Sequence, residues 1–132
     1  MRRIERKAFH FAAAADCVDT WLWRADADYE VLSVHKNQTV IGSDGGAVTL
    51  MLEKVPSGTA IGSGTDILSA TMNLKSTADA EVAGSLAAGA SRRIPKGQWL
   101  CADFTGTQTG VAGLGVTVVL IRTGDEPRNS GF

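Results

Sequence analysis

Short stretches in which apolar and polar residues alternate recur along most of this chain. In "ILSATMNLK", residues 67–75, the even positions from 68 to 74 are apolar and the odd positions from 69 to 75 are polar. In "AVTLMLEK", Val48, Leu50 and Leu52 share one side. A period of two is typical of a half-buried strand.

The same pattern predicts strands in "AFHFAAAAD", where strand is favoured over a short helix, and in "CVDTWLWRA", "YEVLSVHKNQTV", "QWLCADFTG" and "GLGVTVVLIR". Turns rich in Gly, Ser, Asp and Pro separate them. The prediction is an all-β fold, an antiparallel β-sandwich of jelly-roll-like type with about eight strands. We expect an N-terminal arm at 1–7, one sandwich domain at 8–124 and a polar tail at 125–132.

The glycine-rich stretch "VPSGTAIGSGTD", residues 55–66, raises the question of a phosphate-binding loop. Its glycines have the wrong spacing for that motif, no lysine follows, and the next residues alternate as a strand rather than a helix. A loop that joins two strands is therefore the expectation.

Several strands are apolar on both sides, which exceeds what a two-layer sandwich can bury. In "GVTVVLIR", Val119 and Ile121 lie opposite the apolar side; in "VDTWLW", Trp21 and Trp23 lie opposite Val18 and Leu22. We expect these two pairs, Trp21 with Trp23 and Val119 with Ile121, to form the interface of a homo-oligomer. Coverage by the arm or by residues 76–98 is the alternative.

The totals describe one ordinary globular domain of 132 residues with a formal net charge of −1. That charge offers no field for nucleic acid, and no apolar run is long enough to cross a membrane. No signal peptide is expected at the basic start "MRRIERKAFHF". Cys17 and Cys101 are expected to be reduced core thiols, with a disulfide as the alternative.

Residues suited to catalysis or metal binding are few. His10 and His35 stand apart from any nucleophile or cysteine motif. The acids of "DADYE" could hold Ca²⁺ but lack the EF-hand spacing, so solvated turn acids are favoured. Arg92, Arg93 and Lys96 form a small basic turn, either solvated or able to meet an acidic surface. We expect no enzyme, cofactor or metal site.

The residues from 46 to 122 resemble a family. The segments "GAVTLMLEKVPSGTAIGSGTDILSATMNLKSTADAEVAGSL" and "IPKGQWLCADFTGTQTGVAGLGVTVVLIR" resemble the capsid decoration, or cement, proteins of tailed bacteriophages. The resemblance implies a β-sandwich subunit that assembles as a trimer and binds the major capsid protein. It places the protein on the outer surface of the virion, where it bridges capsomers.

With that function, Arg2, Arg3, Arg6 and Lys7 are expected to contact acidic groups of the shell. An alternative is a phage head or tail appendage that binds host glycans through exposed tryptophans. A small hydrolase with paired carboxylates is the third hypothesis, and it is the least favoured.

Overall fold

A computed structural model describes residues 3–124 of the protein. Within that range the chain forms ten strands and two short 3-10 helices, Ala14–Asp16 and Gly89–Arg92. The strands are β1 (Ile4–Phe11), β2 (Thr20–Arg24), β3 (Asp28–Asn37), β4 (Thr49–Val55), β5 (Thr65–Asp66), β6 (Met72–Asn73), β7 (Val82–Ala83), β8 (Arg93–Ile94), β9 (Trp99–Thr105) and β10 (Leu114–Gly124).

The strands form two antiparallel sheets that pack against each other. Sheet A has the order β1-β10-β3-β7, with β8 also paired to β3. Sheet B has the order β2-β9-β4-β5, with β6 also paired to β4. The predicted all-β sandwich is confirmed. None of the helices among residues 3–124 has the length and apolar character needed to span a bilayer.

The core lies between the two sheets and is built from the alternating positions. On β10 the inward residues Leu114, Val116, Val118 and Leu120 are at most 1% exposed. Leu50 and Leu52 of β4 face them from sheet B, and all belong to one apolar cluster. Burying a large apolar side chain stabilises the fold by about 1.5–3 kcal/mol, so these layers hold the sandwich together.

The predicted N-terminal arm is wrong for residues 4–7, which form the first half of β1. These residues pair with Ile121 to Val118 of β10, and Phe11 at the end of β1 is buried. The charged side chains conceal an alternation: Glu5 and Lys7 are half-buried, whereas Ile4 and Arg6 are exposed. Because strand pairing is long-range, the local run of charges did not show it. Arg2 and the predicted tail 125–132 lie outside the described residues.

The single strand expected at 67–75 is also wrong, because the chain divides there into short pieces. β5 precedes Ile67 and β6 covers only Met72–Asn73. Between them the backbone pairs with the 84–87 segment: Ser69 N–H donates to Ser85 O, and Ala87 N–H donates to Ile67 O. The alternating apolar residues are nevertheless buried, apart from the exposed Ala70.

Candidate interaction surfaces

A β-bulge in β2 separates the two tryptophans that the sequence placed on one side. The register with β9 shifts between Trp21, which is opposite Cys101, and Trp23, which is opposite Leu100. Because one extra residue reverses the alternation, Trp21 points outward and Trp23 points toward the core. Trp21 is 41% exposed.

Trp23 is therefore part of the packed subunit and not of an outer surface. Its ring meets Tyr29 edge-on at 4.9 Å, and Lys7 Nζ lies 5.0 Å from its centroid. Lys7 also forms an ion pair with Glu5 at 3.3 Å. The grouping of Trp21 with Trp23 on one face is thus wrong, and Lys7 is held at the sandwich edge rather than extended toward a partner.

The tyrosine beside Trp23 is hydrogen-bonded to two acids at this edge. The Tyr29 hydroxyl donates to Asp26 Oδ1 at 2.7 Å and lies 3.2 Å from Glu5 Oε2. Burial raises the pKa of Tyr29, and the hydrogen bond from Tyr29 lowers the pKa of Asp26. The three acids of "DADYE" therefore have different partners. Asp26 accepts from Tyr29, Asp28 accepts from Lys96 N–H, and Glu30 pairs with Arg92.

The outer surface of sheet A, called face A below, carries an uncovered apolar strip. Ile121 pairs with Ile4 across the sheet, and Val119 pairs with Arg6. Ile4 is 54% exposed, and Leu32, next to the bulge in β3, is 42% exposed. Val119 and Ile121 are partly exposed. The predicted outward placement of these two residues agrees with the structure.

Arginines flank the strip on both sides. Arg6 is exposed on β1, and on the other side Glu30 is paired with Arg92 at 3.3 Å and with Arg93 at 3.7 Å. Asp28 lies at the rim, where Arg93 and Pro95 border a small hollow. Arg92 is half-buried beside Glu30, whereas Arg6 and Arg93 are exposed. An exposed ion pair contributes at most about 1 kcal/mol, so Arg6 and Arg93 remain available to a partner.

The outer surface of sheet B, called face B below, is in contrast largely covered by the chain itself. Val55 and Cys101 are fully buried although they point away from the core, and Glu53 is 2% exposed. The glycine-rich segment folds back over them: Gly62 N–H donates to Glu53 Oε1 at 2.9 Å. This segment joins β4 to β5, as predicted, and it also acts as a cover.

The residue that allows this close cover is Gly64. A Cβ at that position would lie 2.7 Å from both Lys54 O and Val55 Cγ2. Only a residue without a side chain permits this approach of the loop to β4. The sequence showed the glycines, but it did not show that Gly64 packs against the outer side of β4.

Four carboxyl groups converge on face B beside the cover. Glu53 and Asp103 are hydrogen-bonded to each other; Asp19 and Asp66 approach from either side. Burial, together with these acidic neighbours, raises the pKa of both Glu53 and Asp103. Burial likewise raises the pKa of the Cys101 thiol to about 12. Sequence spacing could not reveal this cluster because its members come from four separate segments.

The cluster does not have the geometry of a catalytic or metal site. A glycosidase needs two carboxyls about 5–9.5 Å apart around a cleft, whereas this pair is in direct hydrogen-bond contact beneath a loop. Within the part of the chain that the structure describes, no group of three or more His, Cys, Asp or Glu side chains could hold a metal ion. Cys17 and Cys101 are free and buried.

The tryptophans left outside the core sit at the rim of face B. Trp21 meets Trp99 edge-on at 5.7 Å, and Arg24 is opposite Trp99 in the register. Three hollows on the described surface are lined without any tryptophan or histidine. His10 and His35 lie on face A, opposite Gly115 and Thr117 of β10.

Comparisons with known proteins do not assign the chain to a family. No family model matches it, and no curated protein matches it. Among solved structures, it is similar to a chain from disulfide-linked pili of Bacillus endospore appendages, with 11% identity over 93% of this chain and 89% of that chain, at a TM-score of 0.40. It is also similar to a chain of infectious bursal disease virus, strain Gx, with 16% identity over 96% of this chain and 33% of that chain, at a TM-score of 0.40. Likenesses this distant establish neither family nor function.

Proposed function

We propose that this protein is a non-enzymatic structural protein of a virus particle, which decorates a tailed-phage capsid and stabilises it by bridging capsomers. The observation that carries the proposal is the uncovered apolar strip of face A, where Ile4 and Leu32 are 54% and 42% exposed. The resemblance of residues 46–122 to phage decoration proteins supplies the setting. Those residues include β4 to β9, the loop that covers face B, and most of β10.

In the proposed mechanism, the protein stabilises the capsid by burying apolar side chains in its contacts with neighbouring subunits. Each large apolar side chain moved fully out of water contributes about 1.5–3 kcal/mol, and the half-exposed Ile4 and Leu32 would each contribute part of that. A specific interface buries about 1,600 Å² in total, which requires a surface as broad as a sheet face. An array of such contacts between capsomers would resist outward pressure from packaged DNA.

The basic residues near the N-terminus act in this proposal from a strand and not from a free arm. Arg3 is exposed and lies 3.9 Å from Glu5, and Arg6 projects from face A. Removal of residues 1–7 would take away half of β1, so it would test folding as well as attachment. Point substitutions are the sharper test of whether Arg2, Arg3 and Arg6 meet acidic groups of the shell.

The test is attachment to particles. Purified virions are probed for the protein by mass spectrometry and immunogold labelling, and shells that lack the protein are incubated with wild type, Arg3→Ala/Arg6→Ala and Thr107→Asp. We expect outer-surface labelling, weakened binding of the arginine variant and full binding of Thr107→Asp, which changes an exposed loop residue. Absence from virions, or no binding to shells, would contradict the proposal.

A glycan-binding appendage is the second candidate, because Trp21 is 41% exposed beside Trp99 and several carboxylates. Stacking on sugars uses ring faces, and acidic groups accept hydrogen bonds from sugar hydroxyls. A glycan array decides: specific hits that Trp21→Ala removes would favour this function over capsid decoration.

A further inference from the structure

The predicted contact residues that remain outside the core lie on opposite sides of the molecule. Val119 and Ile121 belong to face A, and Trp21 belongs to face B. The two sheets pack face to face around one core, so their outer surfaces point in nearly opposite directions. One self-complementary patch cannot include both sets, which means that a symmetric dimer would leave one of them unused.

The balance of charged groups differs between the two faces. Around the strip of face A stand Arg6, Arg92 and Arg93, against Glu30 and, at the rim, Asp28.

Face B presents an excess of carboxyl groups, whereas arginines outnumber the carboxyl groups on face A. Asp19 and Asp66 are exposed and Asp103 is half-buried, with Glu53 beneath them. Arg24 stands opposite, next to Trp99 at the end of the sheet. Face A thus has basic residues around aliphatic side chains, and face B has acidic residues around an aromatic pair. Complementary potentials of this kind select a partner and its orientation.

We propose that face A of one copy of this protein binds face B of a second copy, in a head-to-tail contact that repeats along an open row. The inference deepens the proposed structural role, because it names a partner for face A. The two contact surfaces point in nearly opposite directions, so successive copies do not turn back on themselves. A closed trimer, which the resemblance implies, would need contact surfaces inclined toward each other.

The contact has two components that can be measured separately. The aliphatic strip with Ile4, Leu32, Val119 and Ile121 packs on the rim around Trp21, and arginine side chains stack well on tryptophan rings. The charges add attraction that salt screens over about 10 Å at 0.1 M ionic strength. Association is therefore expected to weaken as salt rises.

The experiment uses the purified full chain and one substitution on each face. Sedimentation and light scattering measure mass against concentration for wild type, Val119→Asp and Trp21→Lys. We expect wild type to form species that grow with concentration, and each variant to associate at least about tenfold more weakly. Thr107→Asp, an exposed loop position outside both faces, is the matched control and should behave as wild type.

Mixing the two variants is the decisive step. Val119→Asp keeps an intact face B, and Trp21→Lys keeps an intact face A. A head-to-tail contact therefore predicts that the mixture regains a two-chain complex of about twice 13.8 kDa and nothing larger. A contact between identical patches predicts that one variant still assembles alone and that mixing restores nothing.

Circular dichroism and thermal melting confirm that each variant is folded, and Arg6→Glu and Asp66→Lys replace any variant that is not. Three results would overturn the inference: a monomeric wild type, one variant that assembles like wild type, or a mixture that stays monomeric. A monomer that still binds shells would refute the row but leave the capsid function standing. If the purified chain forms the row but is absent from virions, the row stands and the capsid function is refuted.

Discussion

The outer surfaces of the two sheets differ in what covers their apolar positions. On face B, Val55 and Cys101 are fully buried because the 56–64 loop and β2 lie over or beside them. On face A, Ile4 and Leu32 remain 54% and 42% exposed, and no described segment lies over them. The same sequence feature, a strand that is apolar on both sides, therefore has two different structural outcomes.

This difference shows which apolar residues stabilise the subunit and which are available to another molecule. The fully buried Val55 contributes fully to folding of the isolated chain, whereas the partly exposed Val119 contributes less. Residues on the two faces should therefore respond differently to identical substitutions.

The largest expected effect is on the free energy of unfolding when valine is truncated on each face. Val55→Ala should destabilise the isolated domain by about 2–3 kcal/mol, because it removes fully buried methyl groups and leaves a cavity. Val119→Ala should cost less than about 1 kcal/mol. Urea unfolding at a protein concentration where the chain is monomeric gives both values. Equal losses would mean that the two faces are equally covered.

A smaller effect is expected from Gly64→Ala, which tests the loop cover directly. The added Cβ would lie 2.7 Å from the backbone oxygen of Lys54, so the loop must move away from β4. Overpacking of this kind costs about 1–3 kcal/mol. The reactivity of the Cys101 thiol toward alkylating reagents should rise as well.

Gly45→Ala is the matched control, because nothing lies within 4 Å of a Cβ at that position. It should leave both stability and thiol reactivity unchanged. If Gly64→Ala behaved in the same way, the close packing of the loop on face B would be disproved.

The smallest expected effect is the pH dependence that the Glu53–Asp103 pair adds to stability. Both carboxyls have pKa values raised in the folded protein, so the native state holds their protons more tightly than the unfolded chain does. Their contribution is therefore fully present below the ordinary carboxyl pKa and is lost as pH rises through the raised values. The sign is opposite to that of an ion-paired acid.

Glu53→Gln should remove much of that dependence, at a cost of about 1 kcal/mol or less, because an amide can still accept from Gly62 and donate to Asp103. Denaturant unfolding from pH 4 to 8 measures it, with Glu81→Gln, an exposed acid before β7, as the control. An unchanged slope in Glu53→Gln would show that the pair does not share a proton.

Much of the fold was readable from the alternation of side chains, and the reasons for the exceptions are physical. Val116, Val118 and Leu120 point inward as predicted, because a strand of period two separates its faces locally. Trp23 was placed wrongly because one extra residue in β2 reverses the alternation, and a bulge depends on the partner strand. The acid cluster of face B was missed because its four residues meet only after β4, β5 and β9 pair.

The sequence alone determined where strands and turns occur, which residues share a side, and that more apolar surface exists than two facing sheets can bury. These properties depend on neighbours a few residues apart. Only the tertiary structure decided that residues 4–7 belong to an edge strand, that a loop covers face B, and that face A stays open. Those outcomes depend on contacts between segments far apart in the chain, which local periodicity does not encode.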